Sequence, residues 1–233
     1  MKIALFGISQ IKLGKHNLKD SRFDQVDKLA EAGKKTYAQV DVLGDDQLLD
    51  ADAILTSEDN RADLILKDLE FVETRLGRDP EPAERATLEK IRALLENEKF
   101  ILGAGLTPEE IAPVAVHSFF TNKPITVASQ EELQNPEALL LKAFADAGYI
   151  CFLTVGGKEN RAWPILKGRT AWEAAGSIHS DMQKGFIRAE IIGFADFIAA
   201  GGETEAKRAG KQRLELKQYV MQDYDLTNFR FNK

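Results

Sequence analysis

Two periods of apolar and polar positions run along this chain, and the changes between them mark its elements. "MKIALFG" (1–7) is a short apolar run closed by glycine, the pattern of a strand. From Ser21 to Ala32, the apolar Phe23, Val26, Leu29 and Ala30 follow helical spacing, and Gly33 supplies a stop. "TYAQVDVLG" (36–44) and "DAILT" (52–56) read as a second and a third strand. The period then lengthens. Ile65, Leu69, Val72 and Leu76 advance by four, three and four, and after "GRDPEP" the stripe Leu88, Ile91, Leu95 answers them. Two charged amphipathic helices with a tight break predict an antiparallel helical hairpin over about residues 60–98.

Thr107, Pro108 and Glu110 form a capping-box pattern for a short helix. "KPITVAS" (123–129) alternates like a buried strand, and Asn135, Pro136 and Gly148 frame the helix "PEALLLKAFADAG". In the last third, "YICFLTV" and "RAWPIL" flank the turn-prone "GGKEN" and predict a β-hairpin. Thr170 and Glu173 box a helix that Gly185 ends; "FIRAEIIGF" follows as a strand. "ETEAKRAGKQRLELKQ" reads as a basic helical segment interrupted by Gly210, and "YVMQDYDLTNFRF" as a closing strand. Hairpin, helix, strand and strand is the order of a ubiquitin-like β-grasp domain. The expected fold class is α/β, with one region over 1–148 and a β-grasp domain over 149–233.

Composition narrows the class of function. At 44% hydrophobic and 29% charged residues the chain is of ordinary globular make-up, and no apolar run approaches the ~20 residues that cross a bilayer. With no A-x-A-like cleavage site near the N-terminus, the expected location is the cytoplasm, away from membranes. The one cysteine, Cys151 in "YICFLTV", excludes an internal disulfide and reads as a buried structural thiol. Charge is uneven: residues 149–233 hold 13 Lys+Arg against 10 Asp+Glu, while residues 1–148 hold 18 against 27. A mildly basic C-terminal third suits an anionic partner. Nothing points to DNA specifically.

Candidate chemistry is sparse. His16, His117 and His179 lie far apart with no Cys or His at ligand spacing, and neither G-x-S-x-G nor H-E-x-x-H occurs. What remains is "LFGISQIKLGKH" (5–16), an apolar strand running into Gly-Lys. A phosphate loop has four residues between its glycines and a hydroxyl after its lysine. Here six separate Gly7 from Gly14, and His16 stands in place of the hydroxyl that ligates Mg²⁺. Gly7, Gly14 and Lys15, with a helix starting after them, are the candidate vestigial nucleotide site. "DVLG" (41–44) formally matches the D-x-x-G of switch regions.

The stretch "FLTVGGKENRAWPILKGRTAWEAAGSIHSDMQKGFIRAEIIGFADFI", with "GKQRLELKQYVMQD" and "NFRFN" after it, resembles the C-terminal TGS domain of the YchF subfamily of Obg-like ATPases. "AGSIHSDMQKGFIRAEII" is its most specific element, and the likeness covers roughly residues 147–232. Upstream, "RFDQVDKLAEAGKKTYAQVDVL", "DLILKDLEFVETRL" and "FFTNKPITVAS" are similar in the same chain order to the family's post-loop segment, helical arm and base-motif strand. The resemblance implies a reduced G-domain-like sheet with an inserted helical hairpin, followed by a TGS domain.

The departures fall on nucleotide chemistry. The family's loop G-x-P-N-V-G-K-S-T lacks its Pro, Asn and Ser-Thr around Gly14-Lys15-His16. Its base-recognition N-x-x-E becomes Ser129-Gln130-Glu131-Glu132, the segment between "VDVL" and "DAIL" is short, and Q-D-G-D becomes Gln222-Asp223-Tyr224-Asp225. The expectation is a shortened, non-catalytic paralogue without ATP, GTP or Mg²⁺ as cofactor. Its TGS domain would bind a ribosome, RNA or a translation-related protein in translation or stress control. Arg161, Lys184, Arg188, Lys207, Arg208 and Lys211 are the candidate contacts, meeting phosphates. Trp163 and Phe186 are assigned to the core. Two alternatives stand beside this: a divergent ATPase or GTPase gripping nucleotide through Lys15, and a protein-interaction scaffold.

Overall fold

The computed structural model describes residues 1–232. In chain order its elements begin β1 (Lys2–Phe6), β2 (Gly14–Asn17), α1 (Ser21–Leu29), β3 (Lys35–Thr36), β4 (Gln39–Leu43) and β5 (Ala53–Ser57). There follow α2 (Arg61–Leu76), α3 (Pro82–Glu96), α4 (Pro108–Ile111), β6 (Ile125–Ala128) and α5 (Pro136–Asp146). The chain closes with β7 (Tyr149–Thr154), β8 (Asn160–Leu166), α6 (Ala171–Ile178), α7 (Ser180–Lys184), β9 (Phe186–Ile192), α8 (Phe194–Ala200), α9 (Glu203–Arg208), β10 (Arg213–Glu215) and β11 (Leu226–Phe231). No helix among the described residues is long and apolar enough to cross a membrane. The chain divides into two compact units, 1–16 with 40–147, and 17–39 with 148 onward.

The first unit is built on a five-stranded sheet in the order β2-β4-β1-β5-β6, with β1 parallel to β4 and β5, and β5 parallel to β6. Parallel strands covered on both faces need apolar residues at consecutive positions, and Ile3, Ala4 and Leu5 of β1 and all of β5 are buried. Ala4, Phe6 and Ile54 pack with Leu64 of α2 and with Leu48 and Ala51 of a 3-10 segment, Asp45–Asp50. Lys123 Nζ donates to the carbonyls of Leu48, Leu49 and Ala51 at 2.7–2.8 Å, satisfying the orphan C=O groups at the end of that segment.

Helices α2 and α3 form the helical hairpin, with Gly77 at the first C-cap and Pro82 at the next N1. Ile65, Val72, Leu88, Ile91 and Leu95 make its core together with Ile101, Val114 and Phe119 from the segment that follows. The buried Asp68 carboxylate accepts from the backbone N–H of Phe120 and Thr121 and from Thr121 Oγ1, which pins that segment. Glu84 adds a second clasp, accepting from Arg75 Nε and an Arg75 terminal nitrogen at 2.6 and 2.8 Å and lying 2.8 Å from His117 Nε2.

The second unit holds a six-stranded mixed sheet, β10-β9-β11-β7-β8-β3. One face carries Phe152, Ile165, Ala189, Ile191 and Phe229 against Ala171, Ala174 and Ala175 of α6. Trp163 and Phe186 pack against this core, and Trp163 Nε1 donates to Thr154 Oγ1 at 3.0 Å. Alternate positions such as Cys151, Leu153, Ile192 and Leu226 are buried on the other face. Helix α1 is tied to the sheet by β3, which pairs with β8, and by Asn160 Nδ2, which donates to Asp27 Oδ1 and Ala30 O. Residues 17–39, assigned from sequence to the N-terminal region, therefore fold with the C-terminal residues.

Other readings are corrected by the register. The run 36–44 is not one strand: Lys35–Thr36 pairs with β8, and Gln39–Leu43 with β1. The helix from Thr170 to Gly185 breaks at His179, whose extended backbone caps α7. Residues 203–218 are not one basic helix, because Gly210 turns left-handed at φ 69° and the period-two "RLE" pairs with β9 as β10. The closing strand starts only at Leu226. Helix α8 is an addition to the elements the pattern predicts.

Candidate functional site

In parallel α/β sheets ligands settle beyond the carboxyl ends of the strands, where the strand order reverses. Here that place lies between β1, with β4 on one side and β5 on the other, and the residues after them. An open cleft of about 520 Å³ does lie there, lined by Gly7, Ile8, Ile11, Lys12, Leu13 and Asp45 among others. Gly7 turns left-handed at φ 67°, and a Cβ on it would come within 2.2 Å of Asn60 Cγ. Asn60 is held in turn by Ser57 Oγ, 2.7 Å from its Oδ1. Any side chain here is opposed both by Asn60 and by the left-handed backbone.

The rest of the loop departs from a phosphate cradle. Such a cradle needs successive backbone N–H groups at a helix N-terminus, a lysine at the β- and γ-oxygens, and a hydroxyl for Mg²⁺. Gly14 and Lys15 instead lie in β2, an edge strand that the sequence pattern does not predict. The next helix begins at Ser21, where the apolar spacing places it. Lys15 is exposed, and neighbouring strand positions send His16 to the other side, where its Nε2 lies 2.7 Å from Lys12 O. The cleft is lined by apolar side chains, by Ser9, and by one charge of each sign, Lys12 and Asp45.

At the base-motif position, Ser129 and Glu132 exchange hydrogen bonds, Ser129 N–H to Glu132 Oε2 and Glu132 N–H to Ser129 Oγ. Lys142 takes the other oxygen of Glu132, and together these contacts hold that carboxyl below its ordinary range. Glu132 is thus engaged in a local turn. Among the described residues no group of three or more His, Cys, Asp or Glu is placed to hold a metal.

The six cationic candidates do not form one patch. Arg161, on β8, stacks its guanidinium 4.0 Å over the Trp163 ring. Its directly opposed partner is Thr154, which places it on the face of Phe152 and α6, and two strands separate β8 from β9. Arg188, on β9, shares the opposite face with Glu190. Lys207 pairs with Glu203 at 2.6 Å, Arg208 approaches Glu205 at 3.9 Å, and Lys211 pairs with Asp196 at 3.1 Å. Lys184 ends α7, exposed, with no ion pair among the described residues. A further cation, Arg230, sits directly across from Arg188 and was not among the candidates. Only strand register reveals that pairing.

A second cluster gathers where α1 meets the loop before β11. Arg22 donates to Asp20 and, at 2.7 Å, to Asp223 Oδ2, and lies 4.0 Å over the Tyr224 ring. Asp223 Oδ1 accepts the Cys151 N–H. Burial pushes the Cys151 thiol and the Tyr224 hydroxyl well above their ordinary values, so both stay protonated. Tyr224 is buried and left-handed at φ 63°. This cluster fastens α1 to the sheet.

Residues 149–232 match the YchF-GTPase_C family, described as a protein of unknown function. The Haemophilus influenzae protein named ribosome-binding ATPase YchF is 34% identical over an alignment 249 positions long, gaps included, which covers 80% of this chain and 67% of that protein. The Bacillus subtilis protein of the same name is 48% identical over 96 residues, 41% of this chain and 26% of its own length. A solved YchF GTPase from Schizosaccharomyces pombe superposes with a TM-score of 0.77, covering 99% of this chain and 97% of that one. At 18% identity that likeness is one of fold.

Proposed function

The chain belongs to the YchF family, and from that premise we propose that it is a non-catalytic member that associates with the ribosome through a TGS-like β-grasp unit. The observation carrying this reading is the backbone at Gly14 and Lys15. It is extended in an edge strand, whereas a phosphate cradle uses successive N–H groups at a helix N-terminus, and this difference supports the reading. Loss of the hydroxyl and the engagement of Glu132 point the same way. Ribosome association is the property named for its relatives. It belongs with residues 148–232, which contain the matched family segment and the more basic part of the chain.

Cosedimentation tests the reading. The protein pellets with ribosomes at moderate salt and is released at about 0.5 M, since contacts to phosphates weaken steeply as counterions compete. Failure to pellet at any salt removes ribosome docking and leaves the scaffold alternative. Mg²⁺-dependent ATP hydrolysis restores the divergent-ATPase alternative.

A further inference from the structure

The outer edge of the six-stranded sheet carries a charge arrangement that works against the fold. Strands β9 and β11 set Arg188 and Arg230 directly opposite each other, and like charges at opposed antiparallel positions disfavour pairing. Of the two, the carboxylate beside them serves only Arg230. Glu190, itself buried, accepts from Arg230 Nε at 2.7 Å and from Asn228 Nδ2 at 2.9 Å. Arg188 is exposed and has no ion pair or hydrogen bond among the described residues, so a binding position for an anion is left beside it.

Next to this pair, β10 is an edge strand whose ladder partner is β9. Leu214 and Leu216 are 57% and 61% exposed. Leu214 points to one side of β10, and Leu216 lies one residue past the strand's end. Leu214 is directly opposite Glu190, which places that side on the face of Arg188 and Arg230. Exposed leucines on a free strand edge are a template for a further strand. The exposed face positions, Arg188, Leu214, Asn228 and Arg230, include no aromatic ring on which a nucleic-acid base would stack.

We propose that this edge receives an extended segment of a partner protein whose alternate residues present first apolar side chains and then carboxylates. The segment adds as a strand to β10, its apolar side chains lie on Leu214 and Leu216, and a carboxylate takes Arg188. This goes beyond ribosome association and does not depend on it.

The probe is a fluorescein-labelled peptide in which threonines alternate with two valines and then two glutamates. Its counterpart has lysines for glutamates, and a short oligouridylate serves as the RNA. Anisotropy with the intact protein should show saturable binding of the glutamate peptide, about tenfold or more tighter than either comparator, as one charge-assisted contact provides. Amides of residues 213–216 should exchange more slowly in the complex. Arg188→Glu should weaken the peptide at least about tenfold while raising the melting temperature, because it pairs with Arg230; Arg188→Ala should weaken it with a smaller rise, since it only removes the repulsion. The proposal is overturned if the peptide does not bind, if the RNA binds as tightly, if Arg188→Glu leaves affinity unchanged, or if exchange at 213–216 does not slow.

Discussion

Tyr224 offers a test in which backbone and side chain pull in opposite directions. Its φ of 63° lies in the left-handed region, which costs a non-glycine residue about 1–2 kcal/mol. The ring offsets this: it is buried beneath the Arg22 guanidinium and meets the Phe194 ring edge-on at 5.9 Å. Truncating a buried aromatic side chain costs ~3–5 kcal/mol. Tyr224→Ala loses the ring and keeps the strain, so it should be destabilised by ~3–5 kcal/mol. Tyr224→Gly loses the ring but releases the strain, and should lie ~1–2 kcal/mol above the alanine variant. That order reverses the ordinary one, in which glycine is worse than alanine by about 0.5–1 kcal/mol. Urea denaturation at neutral pH reads both variants, with unchanged m-values showing that the midpoints report stability. If Tyr224→Ala is as stable as Tyr224→Gly or more so, the left-handed turn and the account of how a tyrosine replaces the family's glycine are wrong.

Three further outcomes follow from named contacts. Arg75 and, next to it, His117 hold the Glu84 carboxyl at about 2, below the 4.5 of a free glutamate. Because the folded value is the lower one, this contribution is whole above about pH 4.5 and is lost as pH falls toward 2; Glu84→Gln should flatten the acid limb of a stability profile over that window. Lys123→Met leaves three carbonyls without their cation and should lower stability by ~2–3 kcal/mol in thermal or urea melts. Gly7→Ala should cost ~2–4 kcal/mol by driving its Cβ into Asn60, and adding Asn60→Ala should recover all but the ~1 kcal/mol of left-handed strain in a double-mutant cycle.

What is legible in the sequence is whatever a single face decides. The stripes of α2 and α3 name Ile65, Val72, Leu88, Ile91 and Leu95 from spacing alone, because an amphipathic helix writes its buried side at a fixed period. Capping boxes at Thr107 and Thr170 are legible for the same local reason. Strand β2 is not, because "GKHN" is a polar edge strand with no apolar period, and its Gly-Lys invites a different reading. The run 36–44 hides a change of sheet, since alternation looks alike whichever partner a strand meets. Helix α8 follows Gly193, which offers no side-chain cap. The site features that matter most, Asn60 over Gly7 and Arg230 across from Arg188, are long-range pairings that spacing along the chain does not encode.

The central claim is most directly tested by heating the protein with and without Mg²⁺ and about 1 mM ATP. A site with a dissociation constant near 10 µM would add about 2.7 kcal/mol of stability, which for a chain of this size is a rise of roughly 5–10 °C. The account predicts no shift, and none in Lys15→Ala. A saturable rise of several degrees that Lys15→Ala abolishes would contradict it.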